Sequence, residues 1–547
     1  MTGTEYDYVI IGAGTAGCVI ADRLGEDPST SVLILEAGGP NKHIMMKMPG
    51  AFIQTMVEPK FNWNFQSEPE PGIDSRVIDV PRGKVLGGSS SINGMFYMRG
   101  HPADYDEWER LGATGWGFAD VLPYFRKSEG SWRGAGKYHG ASGPLKVRQI
   151  DTRGLMSEEL LDAAHEAGFP VSEDLSGDVP EGFAIGEVTI DENGRRVSTA
   201  TAFLTEAVAR GNCKVATYAL VHRVIIENGR AVGIEYSAGG ETRTVRARRE
   251  VILCGGTYNS PQVLKLSGIG PAEELASHGI QVVVNNPNVG ANLTEHCEVR
   301  MDFEATGPFT FLKQLRVDRM IRHTLNWMIR GKGPFATQLS SAAVAIRTEQ
   351  SLERPDIQFM VGPIYVDAKP WLPFKGTDQP HVFWCGVLLL HPESRGSVKL
   401  KSADPRDPPA ITLGILTDKR DYEPLRRGIR AARKLYRKGR QAALTGREML
   451  PGEHIQTDAE LDDYIRRTAH ISAHPVGTCA MGAPGKAVVD PELRVIGVEG
   501  LRVVDASVMP TVPGAPTYAA TVMVAERAAD LIRGRQPLSA EQPLAAE

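Results

Sequence analysis

The 547-residue chain has only six cysteines, Cys18, Cys213, Cys254, Cys297, Cys385 and Cys479, and no two of them form a CxxC pair. Such scattering argues against a disulfide framework or a zinc site, and it suits a reducing cytosol, so a cytoplasmic location is expected. No apolar run is long enough to span a bilayer, so no stable membrane insertion is expected. The first residues lead directly into an apolar strand, without the basic and apolar regions of a secretory signal. Basic blocks are also missing: the formal net charge is −5, which argues against a nucleic-acid partner. The one locally basic stretch, residues 426–440, is spaced with Leu425, Ile429, Ala432 and Leu435 as the solvated face of a helix would be. What remains is ordinary globular composition, 42% hydrophobic and 23% charged. At this length a single core is too small a unit, so two domains, consecutive or interleaved, are expected.

The most informative stretch is the first forty residues. Asp7-Tyr8-Val9-Ile10-Ile11 reads as a buried strand, followed by Gly12-Ala13-Gly14-Thr15-Ala16-Gly17, a helical segment from Cys18, and a second apolar strand ending in Glu36. This is the dinucleotide-binding βαβ pattern. Gly12 permits the tight turn, Gly14 lets the backbone approach a pyrophosphate, and Gly17 lets the helix lie close on the strand. The N–H groups of the helix's first turn, at Thr15 and Ala16, face the anion. Glu36, followed by Ala37, is placed to accept hydrogen bonds from the ribose of an adenosine.

Residues 44–65 are irregular and rich in methionine (Met45, Met46, Met48) and aromatics (Phe52, Phe61, Trp63, Phe65). Either a lid over a pocket or simple core packing accounts for such a loop. The next stretch runs Leu86-Gly87-Gly88-Ser89-Ser90-Ser91-Ile92-Asn93-Gly94-Met95-Phe96, a segment with many free backbone N–H groups and little bulk, able to press its main chain on a flat ligand. With Arg99-Gly100-His101-Pro102-Ala103-Asp104-Tyr105 after it, and Gly256-Thr257-Tyr258-Asn259-Ser260-Pro261-Gln262 further on, the chain resembles the glucose–methanol–choline family of FAD-dependent oxidoreductases. The likeness extends through Asn288-Val289-Gly290-Ala291-Asn292-Leu293-Thr294-Glu295-His296 to about Arg533, nearly the whole chain.

The resemblance implies an α/β fold, α+β overall: a Rossmann-like FAD-binding domain interleaved with a substrate domain built on an antiparallel sheet. The FAD-binding domain would take residues 1–155, 191–301 and 461–535, and the substrate domain 156–190 and 302–460, leaving 536–547 as a loose tail. Strand composition at 357–361, 381–390 and 397–400, and helical periodicity over 418–436, are compatible with this. The resemblance further places Leu86, Gly87, Ser90, Asn93, Gly94, Met95 and Phe96 against the cofactor, the backbone of Val221 against the adenine, and Asp505 and Ala506 at the ribityl chain and pyrophosphate. Some members link the flavin covalently to a histidine near this point; here the residues are Ile92-Asn93-Gly94, so non-covalent FAD is expected.

The chemistry points to His470-Ile471-Ser472-Ala473-His474-Pro475-Val476-Gly477-Thr478. A histidine before proline is held extended, and an imidazole can take and return a proton near neutral pH. In the family the histidine of this HPxGT motif lies over the flavin, next to Ala473 here, so His474 is the expected base and His470 a supporting or solvent-facing residue. The family's second catalytic residue, an asparagine or histidine, falls on Pro516 in Gly514-Ala515-Pro516-Thr517-Tyr518. Proline has neither a side-chain donor nor an N–H, and Tyr518 is the nearest substitute; Pro516 and Thr517 would then border the cofactor. The expected activity is oxidation of a primary alcohol to the aldehyde with hydride transfer to flavin, the electrons passing on to oxygen or a quinone. Non-redox chemistry, such as cyanohydrin cleavage or a light-dependent reaction, is the alternative that Pro516 raises. The aromatics and methionines of 44–65 with Phe96, Phe359, Phe383 and Trp384 suggest an apolar pocket and an aliphatic or aromatic alcohol. No acidic cluster for a quaternary ammonium is visible, though a single carboxylate is left open.

Overall fold

The computed structural model describes residues 5–538 and arranges them around two seven-stranded sheets. In the first, strand Glu5–Ile11 is buried from Tyr6 onward, as a strand with both faces covered should be. It pairs in parallel with Val32–Glu36 on one side and with the long strand Glu241–Leu253 on the other. Cys213–Thr217 extends the sheet beyond Val32–Glu36, also in parallel. The long strand changes partners along its length: residues 241–246 pair antiparallel with Arg230–Ala238, and Val251–Leu253 pair parallel with Leu501–Val503. Tyr218, with a φ of 55°, turns the chain between Cys213–Thr217 and Ala219–Glu227.

The second sheet runs in the order Thr445–Leu450, Cys297–Ala305, Val382–Leu389, Ile357–Gly362, Ala342–Ile346, Gly182–Ala184, with His470–Ile471 paired to the start of Cys297–Ala305. All its pairings are antiparallel, so the chain adopts the mixed α/β class expected. Helix Tyr422–Tyr436 covers one face through Leu425, Ile429, Ala432 and Leu435, all buried. Its arginines are ion-paired, for example Arg426 with Asp462 at 2.7 Å and Arg433 with Glu448 at 2.8 Å. The helix starts later than its periodicity suggested, because the Asp418 side chain accepts from the Arg420 N–H and holds a separate turn before it.

The six cysteines are buried and free. Among the described residues no helix is long and apolar enough to cross a membrane. Most of the tail expected to be loose, residues 539–547, lies outside the described residues; within 536–538 the Leu538 N–H donates to the Tyr124 hydroxyl.

Candidate active site between the two sheets

A cavity of about 530 Å³ lies between the sheets. On the nucleotide side its wall is mostly main chain. Gly12 has a φ of 97°, and a Cβ there would sit 2.5 Å from the Cys254 carbonyl oxygen; on Gly17 it would sit 2.0 Å from the Gly12 oxygen. Gly14 differs: a Cβ there meets no protein atom nearer than 3.9 Å and would project into the cavity. Helix Thr15–Leu24 begins at this residue with no side-chain cap, so its first N–H groups are free to meet an anion. Glu36 is buried, accepting from the N–H groups of Ala13 (3.1 Å) and Gly38 (2.7 Å). Burial pushes its pKa up to about 7 against those two bonds; a carboxylate has further lone pairs for a ribose.

Two other helices start on the same cavity. Gly256–Leu266 has its first N–H tied to the Asp505 carboxylate at 2.8 Å, and Ser260 donates to the same oxygen at 2.6 Å. The other is the closing helix Thr517–Ile532, with Pro516 at its N-cap and no side-chain cap. Glycine walls, uncapped helix starts and a buried acceptor together fit a dinucleotide with an anionic pyrophosphate.

Of the residues expected to hold the cofactor, Gly12, Gly14, Thr15, Ala16, Glu36, Ala37, Ser90, Asn93, Gly94, Met95, Phe96, Val221, Ala473, Asp505, Ala506, Pro516 and Thr517 line the cavity, as do His474 and Tyr518. Gly17, Leu86 and Gly87 do not. Gly17 packs under the turn, the Leu86 N–H donates to the Gly39 carbonyl, and the Gly87 N–H donates to the Ala13 carbonyl, so these three shape the wall from behind. Val221 stands at a register shift in the pairing with Arg230–Ala238, the kind of irregularity that leaves backbone groups free for a ligand.

The loop 86–96 is pinned from an unexpected direction. Arg196 is buried with no carboxylate partner among the described residues, and it donates to the Asn93 carbonyl (2.6 Å), the Asn93 side-chain oxygen (2.7 Å) and the Met46 carbonyl (3.0 Å). Burial lowers its pKa to about 9. Residues 44–65 answer both readings offered for them: Phe52, Ile53, Met56 and Trp63 face the cavity, while Met46, Phe61 and Phe65 are buried in packed clusters.

The opposite wall is made of side chains. Strand His470–Ile471 hangs on the edge of the second sheet, and the loop after it carries His474. That loop is stitched on all sides: the Ser472 N–H donates to the His296 carbonyl, Thr294 and Val476 exchange backbone bonds, and the Thr257 hydroxyl donates to the Pro475 carbonyl at 2.7 Å. Arg82 donates to the Ala473 carbonyl, and the His474 N–H donates to Glu295 at 2.6 Å. Burial raises the Glu295 pKa to about 8, and its other carboxyl oxygen has no partner among the described residues.

His474 Nδ1 is 3.0 Å from His296 Nδ1, the rings at 85° to each other. His296 Nε2 is 3.1 Å from the Leu390 carbonyl. A carbonyl only accepts, so His296 Nε2 carries the proton. Burial holds His296 down at about 3 and His474 well below its ordinary value, so both rings are neutral. His296 Nδ1 is therefore the acceptor, His474 Nδ1 the donor, and His474 Nε2 is left with a lone pair. Tyr518, the expected substitute for the missing asparagine, lies on the cavity with its hydroxyl 3.5 Å from the Val197 carbonyl; burial raises its pKa.

Glu298 was not singled out by its sequence. It stands two residues past His296, faces the cavity, and accepts from the Ser472 hydroxyl at 3.0 Å. Burial pushes its pKa up to about 7. Gly386 on the adjacent strand leaves it room: a Cβ there would be 2.3 Å from the Glu298 carboxyl oxygen and 3.1 Å from the Trp384 indole. An acid beside an indole is a pairing that can attract a cation. Phe359 and Phe383, expected in the pocket, are instead buried in the core beneath the sheet. Strand alternation turns their neighbours Met360 and Trp384 to the cavity, so the register of the strands decides which half of each pair is available. His470 is exposed and borders the cavity mouth.

Family models described as GMC oxidoreductase match residues 6–298 and 392–525, and the chain belongs to that family; it is an FAD-dependent alcohol oxidoreductase. Oxygen-dependent choline dehydrogenase from Brucella canis is 42% identical over 537 residues, covering 98% of this chain and 97% of that protein. Among solved structures, pyridoxine 4-oxidase from Mesorbium loti is 30% identical with a TM-score of 0.86, covering 97% of this chain and 100% of the other. A variant of formate oxidase from Aspergillus oryzae is 28% identical with a TM-score of 0.90, covering 98% and 99%.

Proposed function

We propose that the protein oxidises a primary alcohol bearing a cationic head to its aldehyde, with His474 as the base, Glu298 as the partner of the head and FAD bound without a covalent link. The observation that carries this reading is the presence of both side chains on one cavity with the dinucleotide-binding turn. Residues 12–16, Glu36 and the loop 86–96 would hold the cofactor, with Asp505 fixing the helix start behind it. When bound, FAD supplies the acceptor for the electron pair that leaves the carbinol carbon with its hydrogen. The chain's own part is proton handling. His474 Nε2 takes the hydroxyl proton, and the imidazolium keeps its Nδ1–H on the His296 lone pair. Because His296 is itself fixed by the Leu390 carbonyl, the base presents the same nitrogen at every turnover.

The single carboxylate left open by the sequence moves the substrate from an apolar alcohol toward one such as choline, the compound in the name of the Brucella canis relative. Ionised, Glu298 attracts a quaternary ammonium and Trp384 offers it a ring face. The aliphatic and aromatic alcohols remain the comparison. Pro516 favours a second reading, in which flavin is retained for non-redox chemistry, because it has no donor of its own and the Tyr518 hydroxyl lies 3.5 Å from the Val197 carbonyl.

Anaerobic addition of choline, benzyl alcohol and a linear alkanol, followed by flavin absorbance, tests these together. Rapid bleaching by choline is expected. Bleaching by the uncharged alcohols alone would overturn the cationic head, and an unchanged spectrum with all three would favour the non-redox reading. Acid precipitation should leave the yellow colour in the supernatant.

A further inference from the structure

Helix Val317–Arg330 is built against the usual order. Surface helices turn apolar residues to the core and polar residues to water. Here Trp327 and His323 are buried, yet the outward face carries Ile321, Leu325, Met328 and Ile329, which are 58%, 51%, 51% and 77% exposed. These four fall within one side of the helical wheel at 100° per residue. The loop hydrogen-bonded to its first turn, where the Val317 N–H donates to the Trp371 carbonyl, exposes Phe374 at 79%. Monomeric proteins rarely leave so much contiguous apolar surface in water.

The charge around this face differs from that of the molecule. Residues 313–332 contain six Lys or Arg (Lys313, Arg316, Arg319, Arg322, Arg330, Lys332) and one acid, Asp318, a balance of +5 in a chain whose formal net charge is −5. Asp318 is taken by Arg316. No carboxylate pairs with Arg322, Arg330 or Lys332 among the described residues. An apolar helix face edged by unpaired cations has the chemistry of an element lying in the plane of an anionic bilayer surface.

Its position adds to this. The helix's buried side packs through Trp327 into a cluster with Phe335, Leu339 and Ile364, against which Phe52 and Ile53 also rest. Leu339, Ile364, Phe52 and Ile53 line the cavity, and so does Val366, 37% exposed, on the loop that leads to Phe374. The face therefore adjoins the cavity mouth.

We propose that Val317–Arg330 and the Phe374 loop form an interfacial anchor that seats the protein on an anionic lipid bilayer, with no segment crossing it and the cavity mouth turned to the lipid–water boundary. Anchoring of this kind does not depend on which alcohol is oxidised. It is tested by flotation of the FAD-loaded full-length protein with phosphatidylcholine vesicles containing about one-third phosphatidylglycerol. The protein should float with these vesicles, and added salt or pure phosphatidylcholine should weaken the binding. The variant Leu325→Ser/Met328→Ser/Ile329→Ser should lose at least about tenfold in partitioning, with flavin content and turnover of a water-soluble alcohol unchanged. Three results would overturn the proposal: a wild-type protein that stays in solution, a variant that floats as well as wild type, or a wild-type dimer that the variant converts to monomer. The last would assign the face to a second copy of the chain.

Discussion

The two walls of the cavity are made in opposite ways. On the nucleotide side the ligand would meet backbone: Gly14, the uncapped starts of two helices, and a carboxylate already held by two N–H groups. On the other side it would meet side chains drawn from distant segments, Trp384 together with His474 and Glu298, the last two each oriented by a partner of its own. A wall of main chain tolerates little change in its few glycines but is specified by a short stretch of sequence. A wall of side chains can be retuned residue by residue, at the expense of needing the whole fold to bring it together.

The sharpest way to break this contrast is a crossed pair of substitutions. His474→Ala should lower the rate of flavin reduction about a thousandfold, the range for a lost general base, while leaving flavin content and melting temperature close to wild type. Gly17→Ala should do the reverse. Its Cβ would lie 2.0 Å from a backbone oxygen, an overpacking expected to cost about 1–3 kcal/mol, so melting temperature and flavin content fall while the flavin that remains bound is reduced normally. If the two variants fail in the same way, the division between the walls is wrong.

Glu298→Gln addresses the cation. Binding of choline should weaken about a hundredfold, roughly 3 kcal/mol for removing one partner of a buried charge pair, with benzyl alcohol little affected. The sign of the pH dependence follows from the raised pKa of about 7. Above it the carboxylate is charged and attracts the head; as pH falls through it, the group is neutral and affinity declines. The glutamine variant should show no such decline. Equal pH profiles in the two proteins would remove Glu298 from the site.

The smallest expected effect sharpens the side-chain wall. His296→Leu removes the acceptor for His474 Nδ1–H and should lower kcat about tenfold, near the value of one hydrogen bond to a charged group, with KM unchanged. His296→Asn can still accept from His474 and donate to the Leu390 carbonyl, and should recover most of the rate. A leucine variant as fast as the asparagine variant would show that the histidine pair does not fix the tautomer.

These differences also explain what could be read without a structure. The strand, glycine turn and helix at the N-terminus were legible because their causes are local: Gly12 and Gly17 are required by atoms a few residues away or on the adjoining strand. The length of Glu241–Leu253 and the switch of its partners were not, since both depend on Leu501–Val503 arriving from the far end of the chain. Glu298 was hidden for a related reason. It alternates with Cys297 and Val299, which reads as an acid facing water; only the strand His470–Ile471 at the sheet edge turns that face into a cavity wall. Phe359 and Phe383 were assigned to the pocket on composition, and period-two alternation sent them to the core. Arg196 gave no signal, because a buried arginine satisfied by carbonyls looks like any other arginine in a one-dimensional pattern.

The strap that carries His474 ends in bonds to both halves, to Thr294 and His296 of the second sheet's leading segment and to Thr257 and Ser507 of the nucleotide half. Rocking one half against the other would tear the base from its seat. Access to the cavity therefore falls to its other walls, where residues 44–57, short helices outside both sheets, place Phe52, Ile53 and Met56 on the lining.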